Sequence, residues 1–96
     1  MASNAAPLVL EKITHYREGG AIVLTPQGGA SIPLRDPDIV KQFVALRKKL
    51  EASEEIVEPL QIGDAVYTLA PSLTVDVISG PIFWEEILEL IKQGRA

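Results

Sequence analysis

Two glycine pairs, Gly19-Gly20 and Gly28-Gly29, are the residues of this chain that could form a phosphate-binding loop. A dinucleotide-binding loop has the spacing G-x-G-x-x-G and opens directly into a helix, whereas a P-loop contains a Gly-Lys pair. Here a further β-forming stretch follows Gly29, and the chain contains no Gly-Lys pair. Glycine also accepts the positive φ angles of tight turns. The spacing therefore favours two hairpin turns over a phosphate loop.

His15 is the only histidine and the first candidate for a catalytic base. A base needs an orienting partner and a nucleophile within reach, and nothing near Thr14 or Tyr16 marks either. We therefore interpret it as a half-exposed strand residue. The chain contains no cysteine, which excludes a disulfide framework, a thiolate nucleophile and a cysteine-based zinc site. The sequence predicts no catalytic residue, no metal site, no cofactor and no enzymatic activity.

Carboxylates form two groups in the second half of the chain. Glu85, Glu86 and Glu89 fall on the last predicted helix, and Glu85 and Glu89 share a face at the spacing i, i+4. Paired carboxylates can bind a metal or transfer protons, but on an exposed helix they are usually solvated. The four glutamates between residues 51 and 58 do not have the spacing of a calcium-binding loop. Both groups favour a solvated surface.

Lys41, Arg47, Lys48 and Lys49 form the only basic cluster, on the first predicted helix. It could contact phosphates or another anionic partner. The nearby Phe43 belongs to the apolar stripe of that helix, so no aromatic platform for stacking bases is indicated. The net charge of −4 also argues against general nucleic-acid affinity. The pattern favours a solvated helix face, with contact to an anionic partner as the alternative.

The last predicted helix has an apolar surface wider than one stripe. A chain of 96 residues has little material to bury a helix on two sides. We therefore predict a contact with another chain, with Trp84 as an anchor. The alternative is that Trp84 folds over a sheet edge within its own domain. The candidate interaction residues are Phe83, Trp84, Ile87, Leu88 and Ile91.

Turn-forming residues divide the chain into short β-forming stretches and two helices. Asp36 is a good N-cap and Pro37 suits a first helical position, so a helix is predicted over 37–52. A second helix is predicted over 81–93, opened by Gly80-Pro81. Pro71-Ser72 predicts a turn between two strands. The predicted strands cover 8–18, 21–25, 30–34, 56–60, 65–70 and 73–79.

These elements predict a single α+β domain over residues 8–96, preceded by a flexible N-terminal tail over 1–7. The expected architecture is a mostly antiparallel sheet of five or six short strands with two helices on one face. A shift of 44 residues superimposes several turns and helix positions. This similarity suggests two pseudo-symmetric ββα-type repeats, 8–52 and 53–96, although strand–turn–helix stretches share some pattern by chance.

Composition limits where the chain acts. Hydrophobic residues make up 47% of it, enough for a core, and no apolar run approaches the 18 or so residues of a membrane span. The first ten residues lack the basic and apolar regions of a signal peptide. We therefore expect a cytoplasmic protein without a membrane span.

Charge is unevenly divided along the chain. Residues 1–50 hold seven Lys or Arg and four acids, whereas residues 51–96 hold two Lys or Arg and nine acids. Such halves can complement each other within a chain or across a dimer, although a mixed surface explains the same counts.

The leading hypothesis is a non-catalytic interaction protein or accessory subunit that self-associates through its C-terminal helix. The partner would be a second copy, giving a homodimer, or a different protein. The alternative is a small nucleic-acid-binding or regulatory protein that uses the basic end of the first helix. A third is a ligand binder or enzyme with carboxylates in a cleft between the repeats.

Overall fold

A computed structural model describes residues 7–95 of the chain, and residues 1–6 of the predicted tail lie outside them. The predicted α+β class with two helices is confirmed. No helix within the described range has the length and apolar character needed to cross a membrane. The elements in chain order are β1 (Leu8–Tyr16), β2 (Ala21–Pro26), β3 (Ile32–Leu34), α1 (Pro37–Glu51), β4 (Leu60–Ile62), β5 (Ala65–Ile78) and α2 (Trp84–Lys92).

The five strands form one mixed sheet in the order β3-β2-β1-β5-β4. β1 pairs antiparallel with β2, as β2 does with β3 and β4 with β5. The two longest strands, β1 and β5, lie side by side and run parallel. A parallel pair needs a long connection. Here the connection consists of β2, β3, α1 and β4.

β5 is one strand of 14 residues, so the turn predicted at Pro71-Ser72 is wrong. Its register with β1 steps from Leu10↔Leu69 to Lys12↔Thr74, which leaves three extra residues on β5. A bulge accommodates a proline because the ladder is interrupted there. Proline therefore bends this strand without ending it.

The helices pack on opposite faces of the sheet, which corrects the prediction that they share one. Side chains alternate between faces along a strand. Ile22 and Leu24 of β2 pack with Phe43 of α1, whereas Ala21 and Val23 pack with Ile87 of α2. The larger core lies on the α1 side.

The structure does not confirm two equivalent repeats. Residues 8–52 form three strands and α1, whereas the second segment forms the short hairpin β4–β5 and α2. A shift of 44 residues places both β2 and β3 over the single strand β5.

α1 begins where the sequence predicts. The Asp36 side chain accepts hydrogen bonds from the N–H groups of Asp38 at 2.9 Å and Ile39 at 3.4 Å. α2 begins at Trp84 and not at Pro81, because Phe83 is still extended, with φ −94° and ψ 154°. Residues 79–83 connect β5 to α2, which lies on the face of the sheet opposite α1.

The glycine pairs lie in hairpin turns, as predicted. Gly20 and Gly28 have φ values of +63° and +67°, which side-chain-bearing residues adopt at a cost. Gly19 has a different role, because a Cβ there would lie 3.0 Å from Ile87 Cδ1 and 3.2 Å from the Ile82 carbonyl oxygen. Its missing side chain lets α2 approach the sheet.

Candidate functional site

A groove lies between the second half of α1 and the adjoining ends of β1 and β5. Its volume is ≈ 410 Å³. Four of its residues come from one face of α1, at the spacing i, i+3, i+4, i+7. We call it the basic groove, and its walls are His15, Arg17, Val44, Arg47, Lys48, Glu51 and Val77.

The sheet register places the strand residues of the basic groove. His15 of β1 pairs directly with Val77 of β5. Arg17 follows β1, and its N–H donates to the Ile78 carbonyl at 3.1 Å. Because Ile13 packs against α1 in the larger core, His15 two residues later faces α1 as well.

Positive charge dominates the basic groove, since three cations face one carboxylate. Arg47 forms an ion pair with Glu51 one helical turn later. Burial lowers the pKa of His15 below its ordinary value of 6.5, and the charges of Arg47, Arg17 and Lys48 lower it further. Glu51 opposes this shift. Burial and the surrounding cations therefore favour the neutral form of the imidazole.

Two nitrogen atoms of the basic groove lack hydrogen-bond partners among the described residues. They are His15 Nδ1 and Arg47 Nε, and both atoms are buried. The two residues are only 9% and 8% exposed. Buried polar groups are normally hydrogen-bonded, and these two nitrogens are exceptions.

The structure divides the predicted basic cluster. Arg47 and Lys48 line the basic groove, whereas Lys49 lines a separate cavity of ≈ 360 Å³ and Lys41 lies exposed outside both. That second cavity lies between α1, residues 55–57 and β4, and most of its walls are apolar. No local pattern indicates that His15 and Arg17 lie beside Arg47, because only the fold brings β1 to the end of α1.

The predicted interaction residues of α2 have different environments. Ile87 is fully buried, and Ile91 packs partly buried beside it. The Arg35 guanidinium lies 5.0 Å from the centre of the Trp84 ring, a cation–π contact within the chain. Phe83 and Leu88 are exposed, at 68% and 37%. Of the five predicted interaction residues, Phe83 and Leu88 are therefore the two with exposed side chains.

The outer side of β5 is a further candidate surface, which we call the free edge and define as residues 73–78. β4 pairs only with residues 65–67 of β5. Among residues 7–95, no strand pairs with the outer side of 73–78. The sequence predicts a strand over 73–79. The turn expected at Pro71 did not allow us to predict that this stretch continues β5 beyond β4.

The carboxylates of α2 do not converge on a site. Glu85, Glu86 and Glu89 are exposed, and the Gln93 side chain donates to Glu89 at 3.1 Å. Within the described part of the chain, no three His, Cys, Asp or Glu side chains are grouped to hold a metal ion.

No family model matches this chain, and neither a curated protein nor a solved structure matches it significantly.

Proposed function

We propose that this chain is a non-catalytic protein–protein interaction module that self-associates by pairing the free edges of two copies. The observation that carries the proposal is a β-forming run of six residues whose outer side has no partner strand within residues 7–95. Unpaired edges are templates for strand addition, and proteins usually protect them with charges, prolines or covering loops.

The backbone groups available at the free edge follow from one hydrogen bond. Ile78 accepts from the Arg17 N–H, so its backbone groups point toward β1. Backbone direction alternates along a strand. Asp76 therefore also points toward β1, whereas Val75 and Val77 direct their N–H and C=O groups outward. These are the groups a second strand would bind.

The free edge is compatible with a second copy of itself. Its only charged side chain is Asp76, which forms an ion pair with Lys12 at 3.3 Å. That pair limits repulsion between two identical edges. Six residues span about 20 Å of strand. Two such edges running antiparallel form a closed two-fold dimer, the commonest symmetry of soluble oligomers.

Replacing Val75 with proline tests the proposal. Val75→Pro removes an outward N–H while leaving the ladder with β1 intact, and Val75→Thr keeps both the N–H and the β-branched shape. We expect wild type and Val75→Thr to be dimers by light scattering behind a sizing column. Val75→Pro should raise the dimer dissociation constant roughly tenfold or more.

A second variant keeps the proposal testable if Val75→Pro does not fold. Ile78→Lys places a charge at the end of the free edge, and Ile78→Thr is its uncharged control. Circular dichroism would establish that each variant is folded. A wild-type chain that stays monomeric as concentration rises, or folded Val75→Pro and Ile78→Lys variants that dimerise as wild type does, would contradict the proposal.

A further inference from the structure

The basic groove shares only Val77 with the free edge. We infer that it binds a small phosphate dianion, either inorganic phosphate or the phosphate group of a monoester. Three observations carry the inference: the charges of the groove, the hydrogen-bond donors of its basic side chains and its size.

The charge of the basic groove matches a dianion. Arg17, Arg47 and Lys48 bring three positive charges, and Glu51 brings one negative charge. Burial and the neighbouring cations lower the pKa of His15 and so favour its uncharged imidazole. The net charge of the walls is thus that of two cations. A phosphate monoester is close to doubly charged near neutral pH, whereas each diester link of a nucleic acid carries a single charge.

The donors of the basic groove suit phosphate oxygens. Guanidinium groups match the geometry of phosphate and bind it through two parallel hydrogen bonds, and a lysine adds a mobile point charge. Arg47 is held in place by its ion pair with Glu51 and still has an unpartnered Nε among the described residues. His15 Nδ1 likewise has no partner among residues 7–95, and both nitrogens are buried. An anion in the basic groove would relieve the repulsion among Arg17, Arg47 and Lys48.

The volume of the basic groove favours a small ligand. At ≈ 410 Å³ it falls at the lower end of ligand pockets, enough for a phosphate with a modest organic group. A polymer such as a nucleic acid would need further basic residues along an extended surface. Lys41 and Lys49 do not line the basic groove and so do not extend it. A small phosphate compound therefore fits better than a polymer.

His15 provides a direct probe because it is the only histidine. Its imidazole C–H signals would be followed by NMR while inorganic phosphate is added, against sodium chloride at equal ionic strength. We expect saturable shifts with phosphate only. We also expect the pKa of His15 to rise, because a nearby anion favours the protonated imidazole.

Matched glutamine variants locate the site. Arg17→Gln and Lys48→Gln each remove one cation from the basic groove, and each should weaken phosphate binding roughly tenfold. Lys41→Gln and Lys49→Gln each remove one positive charge from α1 outside the groove, and each should change the affinity by less than about twofold.

Two other ligands distinguish binding of a phosphate monoester from binding of a nucleic-acid backbone. A simple alkyl phosphate monoester should bind as inorganic phosphate does, and a short single-stranded oligonucleotide without terminal phosphates should not. The inference is overturned if phosphate acts no differently from chloride, if Lys49→Gln weakens binding as much as Lys48→Gln, or if only the oligonucleotide binds.

Discussion

At the residue scale, the fold turns an isolated histidine into one surrounded by charge. His15 lies in β1, and the positive side chains that lower its pKa come from α1 and from the turn after β1. Local sequence offers no sign of this, because Arg47 lies 32 positions away along the chain. The lowered pKa of His15 is therefore a property of the tertiary structure.

The lowered pKa of His15 predicts a pH dependence of stability. In the unfolded chain the imidazole binds a proton near its ordinary value of 6.5, whereas the folded chain resists protonation. Protons therefore favour the unfolded state as the pH falls through and below 6.5, and the free energy of unfolding should fall in that range.

The measurement is urea unfolding in phosphate-free buffer between about pH 7.5 and about pH 5.5, the range in which histidine titrates. His15→Asn, which cannot titrate there, should flatten the curve. If wild type and His15→Asn lose stability in parallel as the pH falls, carboxylates are responsible and the interpretation of His15 is wrong.

At the element scale, α2 is positioned by the absence of a side chain in the β1–β2 turn. A Cβ at Gly19 would lie 3.0 Å from Ile87 Cδ1, 3.1 Å from Ile82 Cγ2 and 3.2 Å from the Ile82 carbonyl oxygen. A backbone carbonyl cannot move aside as the end of a side chain can. α2 therefore depends on glycine at this position.

Gly19→Ala should displace α2 and destabilise the chain by about 1–3 kcal/mol, the usual cost of overpacking. Trp84, the only tryptophan, reports on α2, and its emission should shift toward that of exposed indole. The control is Gly20→Ala, which meets no atom within 4 Å but has φ +63°. It should lower stability and leave the emission of folded protein unchanged. Identical emission from folded Gly19→Ala and wild type would contradict this role for Gly19.

Elements defined by adjacent residues could be predicted, and those defined by distant pairing could not. α1 was predictable because Asp36, Pro37 and the apolar stripe all act within one or two turns. The continuity of β5 was not, because Pro71 is tolerated only through a bulge against β1. Sheet register also determines on which face each helix packs and which residues line the basic groove. No local pattern specifies that register.

At the scale of the whole molecule, the two helices leave two kinds of surface for contact with another chain. Phe83, just before α2, and Leu88 on α2 offer exposed apolar side chains, and the free edge of β5 offers backbone hydrogen-bonding groups. Sequence analysis predicted the α2 surface from its wide apolar face. In the fold, Ile87 and Ile91 contribute to packing within the chain.

Replacing the exposed apolar side chains of Phe83 and Leu88 tests the α2 surface separately from the free edge. We expect Phe83→Ser combined with Leu88→Ser to change the free energy of unfolding by less than about 1 kcal/mol, because exposed side chains contribute little to the core. We also expect the dimer to persist, since the free edge is untouched. Light scattering measures the mass, and thermal unfolding of the same samples measures stability. A folded but monomeric double variant would assign self-association to α2, and the role of the free edge would then be wrong.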